Sequence, residues 1–307
     1  MTARIFILGA PRNIFCGLRP ELSERMVYLS DDMRFPKGIL KQVTRRMLVG
    51  HVPLKVNMLR WWFPKEDFDK LITATGEDTV LLYEWTNARV LKAILSHFPK
   101  GSEKNWHIYY CNPLEAIFKN PTNDLAKLTK LGIKLWSFDK VDARRFGIGM
   151  AGQFFRYVKV ETHEAGNDCF FCGLPKDRAN ELELLRRILQ KHGCSCDFVI
   201  PKSKEERISY DEYLDRLSRS RCVVDLCQKM QTGLTRRPIE AIFYNKKLIT
   251  NNILIKEYDF YNPENVFIFG ADKTDKLGEF VKKAAVPVAD EIKEKYDVNG
   301  WLLQFLC

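Results

Sequence analysis

From Arg4 to Gly270 the chain alternates short apolar runs with amphipathic helical stretches, and no other feature restricts its fold as much. RIFILGA, MVYLS, TVLLYEW, HIYYC and IKLWSFD read as strands, with ARVLKAILSHF and LEAIFKNPTNDLAKLTKLG as helical stretches among them. A second set follows: DCFFCGLP, CDFVIP, CVVDLC, KLITN and VFIFG, separated by RANELELLRRILQKHG, YDEYLDRLSRSR and PIEAIFYN. Strands that alternate with helices form parallel sheets covered on both faces. The expectation is an α/β fold of two Rossmann-like domains. The polar segment RYVKVETHEAGN predicts the boundary, giving domains 1–162 and 163–307. The tail from Asp272 reads as helical with a break at Pro287, and its apolar end WLLQFLC packs on either domain.

A chain of 307 residues, 46% hydrophobic, has ample core for two domains. No window approaches the roughly 18 uninterrupted apolar residues of a membrane helix. RIFILGAP is too short for a signal peptide, so a cytoplasmic protein is expected. Nine cysteines in mostly apolar runs read as reduced core thiols. Cys169 and Cys172 with Cys194 and Cys196 match a zinc count, but a strand sends positions three apart to opposite faces. The net charge of +10 is spread along the chain, with no nucleic-acid-binding signature. Nucleotide phosphates and anionic lipid fit it better than nucleic acid.

The segment Cys222–Asn252 reads as strand, polar loop, helix and strand, with Gln231, Thr232, Gly233, Thr235, Arg236 and Arg237 at the loop–helix junction. Unpaired N–H groups and the positive dipole end of a helix attract phosphate there, and arginines add charge-assisted bonds. Two cations at that end repel the dipole unless an anion offsets them. Glu240, in the first turns, is placed to accept from ribose hydroxyls. Gly173, Lys176 and Arg178 follow DCFFC in the same way and form a second place for a diphosphate, with an ordinary strand-to-helix turn as the alternative. Candidate general bases near strand ends are Asp31, Asp32, His51 and Glu84. Asp139 and Asp142 read as a helix cap and a first-turn acid. The cluster Trp61, Trp62 and Phe63 fits core, an acceptor platform or a membrane contact. No Asp-x-Asp pair stands in a strand–loop context, so a metal-independent mechanism without a cofactor is expected.

Three segments, KLWSFDKVDARRFGI, DCFFCGLPKDRANELELLRRIL and YDEYLDRLSRSRCVVDLCQKMQTGLTRRPIEAIFYNKKLITNN, resemble those of bacterial capsular-polysaccharide and lipopolysaccharide biosynthesis glycosyltransferases of the two-Rossmann (GT-B) type. The resemblance implies a nucleotide-sugar donor on the C-terminal domain, an acceptor on the N-terminal one and chemistry in the cleft between them; the expected acceptor is a growing surface glycan, free or lipid-linked, at the inner membrane face, where the positive charge helps hold anionic lipid. Retaining members often carry two glutamates eight positions apart; Thr232 stands eight before Glu240, which leaves the stereochemical outcome open. A non-catalytic scaffold and a transferase of another nucleotide-activated group are the alternative expectations.

Overall fold

The computed structural model describes residues 2–15, 17–30, 54–61, 63–161, 166–228 and 231–306. Two compact units emerge, residues 1–152 with 298–307, and residues 153–297. The division falls after Gly152 rather than after 162, and the last ten residues belong with the first unit.

In the first unit, β1 (Ile5–Leu8), β2 (Met26–Leu29), β3 (Thr79–Tyr83), β4 (Trp106–Tyr110), β5 (Lys134–Ser137) and β6 (Gly149–Met150) form a parallel sheet in the order β2-β1-β3-β4-β5-β6. In the second, β7 (Asn167–Cys172), β8 (Cys196–Val199), β9 (Ser220–Asp225), β10 (Lys247–Thr250) and β11 (Val266–Ile268) give the order β11-β10-β9-β7-β8, also parallel. In each sheet the chain steps outward from the first strand on one side and then returns to its other side. Each therefore has a topological switch point, β1/β3 in one and β7/β9 in the other, where ligands of open α/β sheets collect beyond the carboxyl ends of the strands.

The apolar alternation explains the burial. β1 and β3 are buried throughout, as strands covered on both faces should be. Cys169 packs with Phe171, Leu185 and Val224 on one face of the second sheet, while Cys172 packs with Phe170, Val223 and Ile239 on the other. Cys169 is in register with Cys196 and Cys222, forming a row of reduced thiols. Its hydrogen bond with Cys222, followed by burial, pushes the Cys169 thiol well up. Among the described residues no group of three or more His, Cys, Asp or Glu is arranged to hold a metal.

The stretch 114–129 is two helices, Leu114–Ile117 and Pro121–Thr129. Asn120 caps the second by accepting from the Asn123 N–H, and Pro121 at its first position cannot continue the helix before it. Asp139 caps Lys140–Phe146 as its position predicts, accepting from Val141 at 2.7 Å. Asp142 turns away to accept from the Leu114 N–H at 2.8 Å.

The C-terminal helix Val298–Leu303 places Trp301 in the core of the first unit. Its ring meets Tyr109 at 4.9 Å and Phe305 at 4.8 Å, and its indole N–H donates to Gly152 O at 2.9 Å. Nearby, the Trp136 indole donates to Nδ1 of buried His107 at 3.0 Å, which places the proton of the neutral ring on Nε2. Burial, then the charge of Lys134, pushes this histidine from 6.5 down to about 4. The unfolded chain therefore takes up a proton as pH falls below 6.5, whereas the folded chain resists until about 4, so acid favours unfolding across that window. Urea midpoints should show about 2–3 kcal/mol lost from this group between pH 7 and pH 4.5, and His107→Gln should remove that part of the pH dependence. Equal slopes for both proteins would contradict it.

Candidate functional site

The carboxyl edge at the β7/β9 switch point carries two arginines that lace the strand ends together. Arg237, one residue inside the helix Arg236–Phe243, donates from Nη1 to Asp225 Oδ1 at 3.1 Å and from Nη2 to Cys172 O at 2.7 Å. Arg178, ending a short 3₁₀ turn after β7, donates to Leu226 O and to Leu174 O, the latter at 3.1 Å. Each guanidinium thus reaches from the end of β7 to the end of β9. Both lie over the ring of Phe171, at 5.3 Å for Arg178 and 5.1 Å for Arg237, where the aromatic quadrupole favours a cation.

Gly173 is required at this place. Its φ of +155° is rare for L side chains, and an added Cβ would stand 2.7 Å from Nη2 of Arg237. Thr235 completes the junction. Its hydroxyl donates to Asp225 at 2.9 Å and accepts from the Arg237 N–H, so the helix cap and the buried carboxylate share one network.

The two guanidiniums differ in their counter-charge. Asp225, 1% exposed, is the carboxylate bonded within the network, facing two guanidiniums. Burial acts to lower the Arg237 pKa, but Asp225, Tyr213 and Glu240 raise it overall. Arg178, 7% exposed, moves the other way, through burial and then the neighbouring Arg237, and its Nε–H has no partner among the described residues. Unsatisfied buried donors are costly and therefore informative. Arg237 remains partly open, its side chain 17% exposed.

The other sequence candidates sit around this centre. Lys176 is exposed, with φ +46°. Arg236 is exposed at the first position of its helix, and Gly233 is buried in the loop. Gln231 closes a turn onto Gln228 O, and Thr232 O accepts from Asn252 Nδ2 at 3.2 Å. Asn251 pins the same loop, accepting from the Cys227 N–H at 2.7 Å and donating to Glu181. Glu240 is 4% exposed and accepts from the Tyr213 hydroxyl, which joins the helices Tyr210–Ser218 and Arg236–Phe243. Burial raises its pKa against the opposing Tyr213 bond and the charges of Arg237 and Arg236.

Asp225, Phe171 and Tyr213 escaped the sequence reading. The signal for Asp225 was a lone carboxylate ending the apolar run CVVD, ten residues before a threonine–arginine helix start. It supplies from inside the protein the counter-charge for Arg237, one of the two cations at that helix N-terminus.

In the first unit, Glu84 follows β3 beside the β1/β3 switch point with φ +47°, a left-handed conformation that costs a non-glycine residue on the order of 1 kcal/mol. Its Oε1 accepts from Asn112 Nδ2 at 2.6 Å and from the Cys111 thiol at 3.2 Å. Asp31, Asp32, His51 and Trp62 lie outside the described residues. Trp61 is exposed, while Phe63 is core, stacked on Phe68. No helix among the described residues is long and apolar enough to cross a membrane.

Two parallel α/β units, each with a switch point, form an α/β fold of two Rossmann-like domains. Among solved structures the chain is similar to that of TarM, a glycosyltransferase, with a TM-score of 0.50 at 13% identity over 82% of this chain. The match spans 56% of the TarM chain. No protein-family model matches, and no curated protein does.

Proposed function

We propose that the chain is a glycosyltransferase that binds a nucleotide-activated sugar at the β7/β9 edge, passing the sugar to a growing cell-surface glycan such as capsule, exopolysaccharide or lipopolysaccharide. The observation that carries this reading is the pair Arg178 and Arg237 around Gly173, one guanidinium paired with buried Asp225 and the other held by backbone carbonyls. A diphosphate gives Arg178 the anionic partner that it lacks among the described residues. As the bond from sugar to diphosphate breaks, negative charge grows on the leaving phosphate, and fixed cations stabilise that growth. Electrostatic stabilisation by arginine suffices for this role, which makes the proposed reaction metal-independent. Thr235 holds the helix start in place, and Glu240 supports the site by fixing Tyr213. Lys176 and Arg236, both exposed, extend the positive edge toward the donor.

In the first unit, Glu84 is the general base that accepts the proton of the acceptor hydroxyl as its oxygen bonds to the sugar and the nucleoside diphosphate leaves. Asn112 and Cys111 fix its carboxylate through Oε1, and a strained backbone at a strand end is a recurrent mark of a working residue. The acceptor is a glycan or lipid-linked glycan, met at the cytoplasmic membrane face, where the net charge of +10 favours anionic lipid.

A panel of radiolabelled nucleotide sugars, assayed for release of nucleoside diphosphate with and without chelator, tests the reading. Wild type should turn over one nucleotide class equally well in both conditions, and Arg178→Gln should lower that rate about 10²-fold or more. One observation favours the second reading, a transferase-fold scaffold: the guanidiniums already bond Leu174 O, Leu226 O, Cys172 O and Asp225. No turnover across the panel, or full turnover by the variant, would support it.

A further inference from the structure

The helix Tyr210–Ser218 precedes β9 and runs back across the second sheet, so its first residue lies at the carboxyl edge, the same edge that carries Arg178 and Arg237. Tyr210 is 44% exposed there. Its ring lies nearly parallel to that of Tyr213, with centroids 5.9 Å apart and planes 10° apart. Tyr213 cannot yield easily. Its hydroxyl donates to the buried Glu240, and its ring also meets Phe170 in the core at 5.3 Å. Ser209 caps the helix by accepting from the Glu212 N–H at 3.1 Å, which fixes the backbone at Tyr210. An exposed aromatic ring would ordinarily sample several rotamers; this one is braced from behind. Arg156 and Arg236 both bear electrostatically on its hydroxyl. Glu240, which accepts from Tyr213, stands three residues after Arg237 on one helix, so the paired tyrosine rings and that guanidinium belong to one neighbourhood.

We infer that Tyr210 is the platform on which the base of the nucleotide stacks, with the diphosphate held at Arg178 and Arg237; the inference rests on the functional reading above. A flat, braced ring beside cations presents a π-face to another π-face and suits a planar heterocycle. The substrate class follows. The ligand is a nucleoside diphosphate recognised at both ends, with the base adding affinity that a bare diphosphate lacks.

Calorimetric titration of the full chain with pyrophosphate and with UDP, GDP, CDP, ADP and dTDP separates the two claims. One nucleoside diphosphate should bind about ten-fold or more tighter than pyrophosphate. Tyr210→Ala should weaken that nucleotide by about five-fold or more, while its pyrophosphate affinity stays within about two-fold of wild type. Tyr210→Phe, which keeps the ring, should bind like wild type. If Tyr210→Ala keeps the whole gain over pyrophosphate, or if no nucleotide exceeds pyrophosphate in wild type, the platform is overturned while the anion site stands. If pyrophosphate and nucleotides all fail to bind at millimolar concentration, the anion site itself is wrong and the platform falls with it.

Discussion

Replacing Arg237 with alanine should destabilise the protein by about 3–5 kcal/mol, read as a lower urea midpoint of the second unit. The reason is the partner left behind. Asp225 is almost fully buried, and without Arg237 its donors among the described residues are the Thr235 hydroxyl and the weak Cys227 thiol, the latter at 3.8 Å. A buried carboxylate stripped of its cation bears an uncompensated desolvation cost. Cys172 O also loses its donor, and the ends of β7 and β9 lose one of their two bridges. Removing both charges should cost far less. Asp225→Asn with Arg237→Met should recover most of the loss, because an asparagine oxygen still accepts from Thr235 and the thioether replaces the stem over Phe171. If the single variant is as stable as wild type, Asp225 is not the buried counter-charge described here.

The second large effect belongs to Trp301. Trp301→Ala should cost about 3–5 kcal/mol, because its ring fills the space among Tyr109, Tyr83, Phe15 and Phe305 and its indole satisfies Gly152 O. Trp301→Phe should cost less, since it restores most of the volume and loses the hydrogen bond. Removing residues 298–307 should be worse than the point variant, because Phe305 packs on His107 and Trp136. Hydrogen exchange would check this, with loss of protection in β3 and β4. Unchanged protection after truncation would show that the tail does not complete the first core.

Much of the fold was legible because parallel strands buried on both faces are written as continuous apolar runs. IFIL, TVLLY and CVVD carry no other reading once helical stretches flank them. The unit boundary was less legible. A polar segment suggested a linker near 162, yet Tyr244 bonds Val158 O and Phe155 packs on Phe243 within the second unit, and polarity alone does not announce such contacts. The return of the C-terminal helix was likewise open, since WLLQFLC is apolar enough for either core.

The site was half legible. Glycine after a strand and arginine at a helix start are local signals, and the structure brings Gly173, Arg178, Thr235 and Arg237 together. Their bonding partners are not local. Asp225 lies twelve positions before Arg237, and Cys172 O lies 65 before it, so only the β7/β9 pairing shows that a backbone carbonyl and a buried acid share one guanidinium. The glutamate read as a ribose acceptor has a protein partner, Tyr213, that lies 27 residues away.

The most direct test of the central claim is a titration of the protein with pyrophosphate, followed through the side-chain Nε–H resonances of its arginines. The signals of Arg178 and Arg237 should shift together and saturably, while those of Arg219 and Arg221, at the amino end of β9, stay in place. Saturable binding that leaves Arg178 and Arg237 unmoved would contradict it.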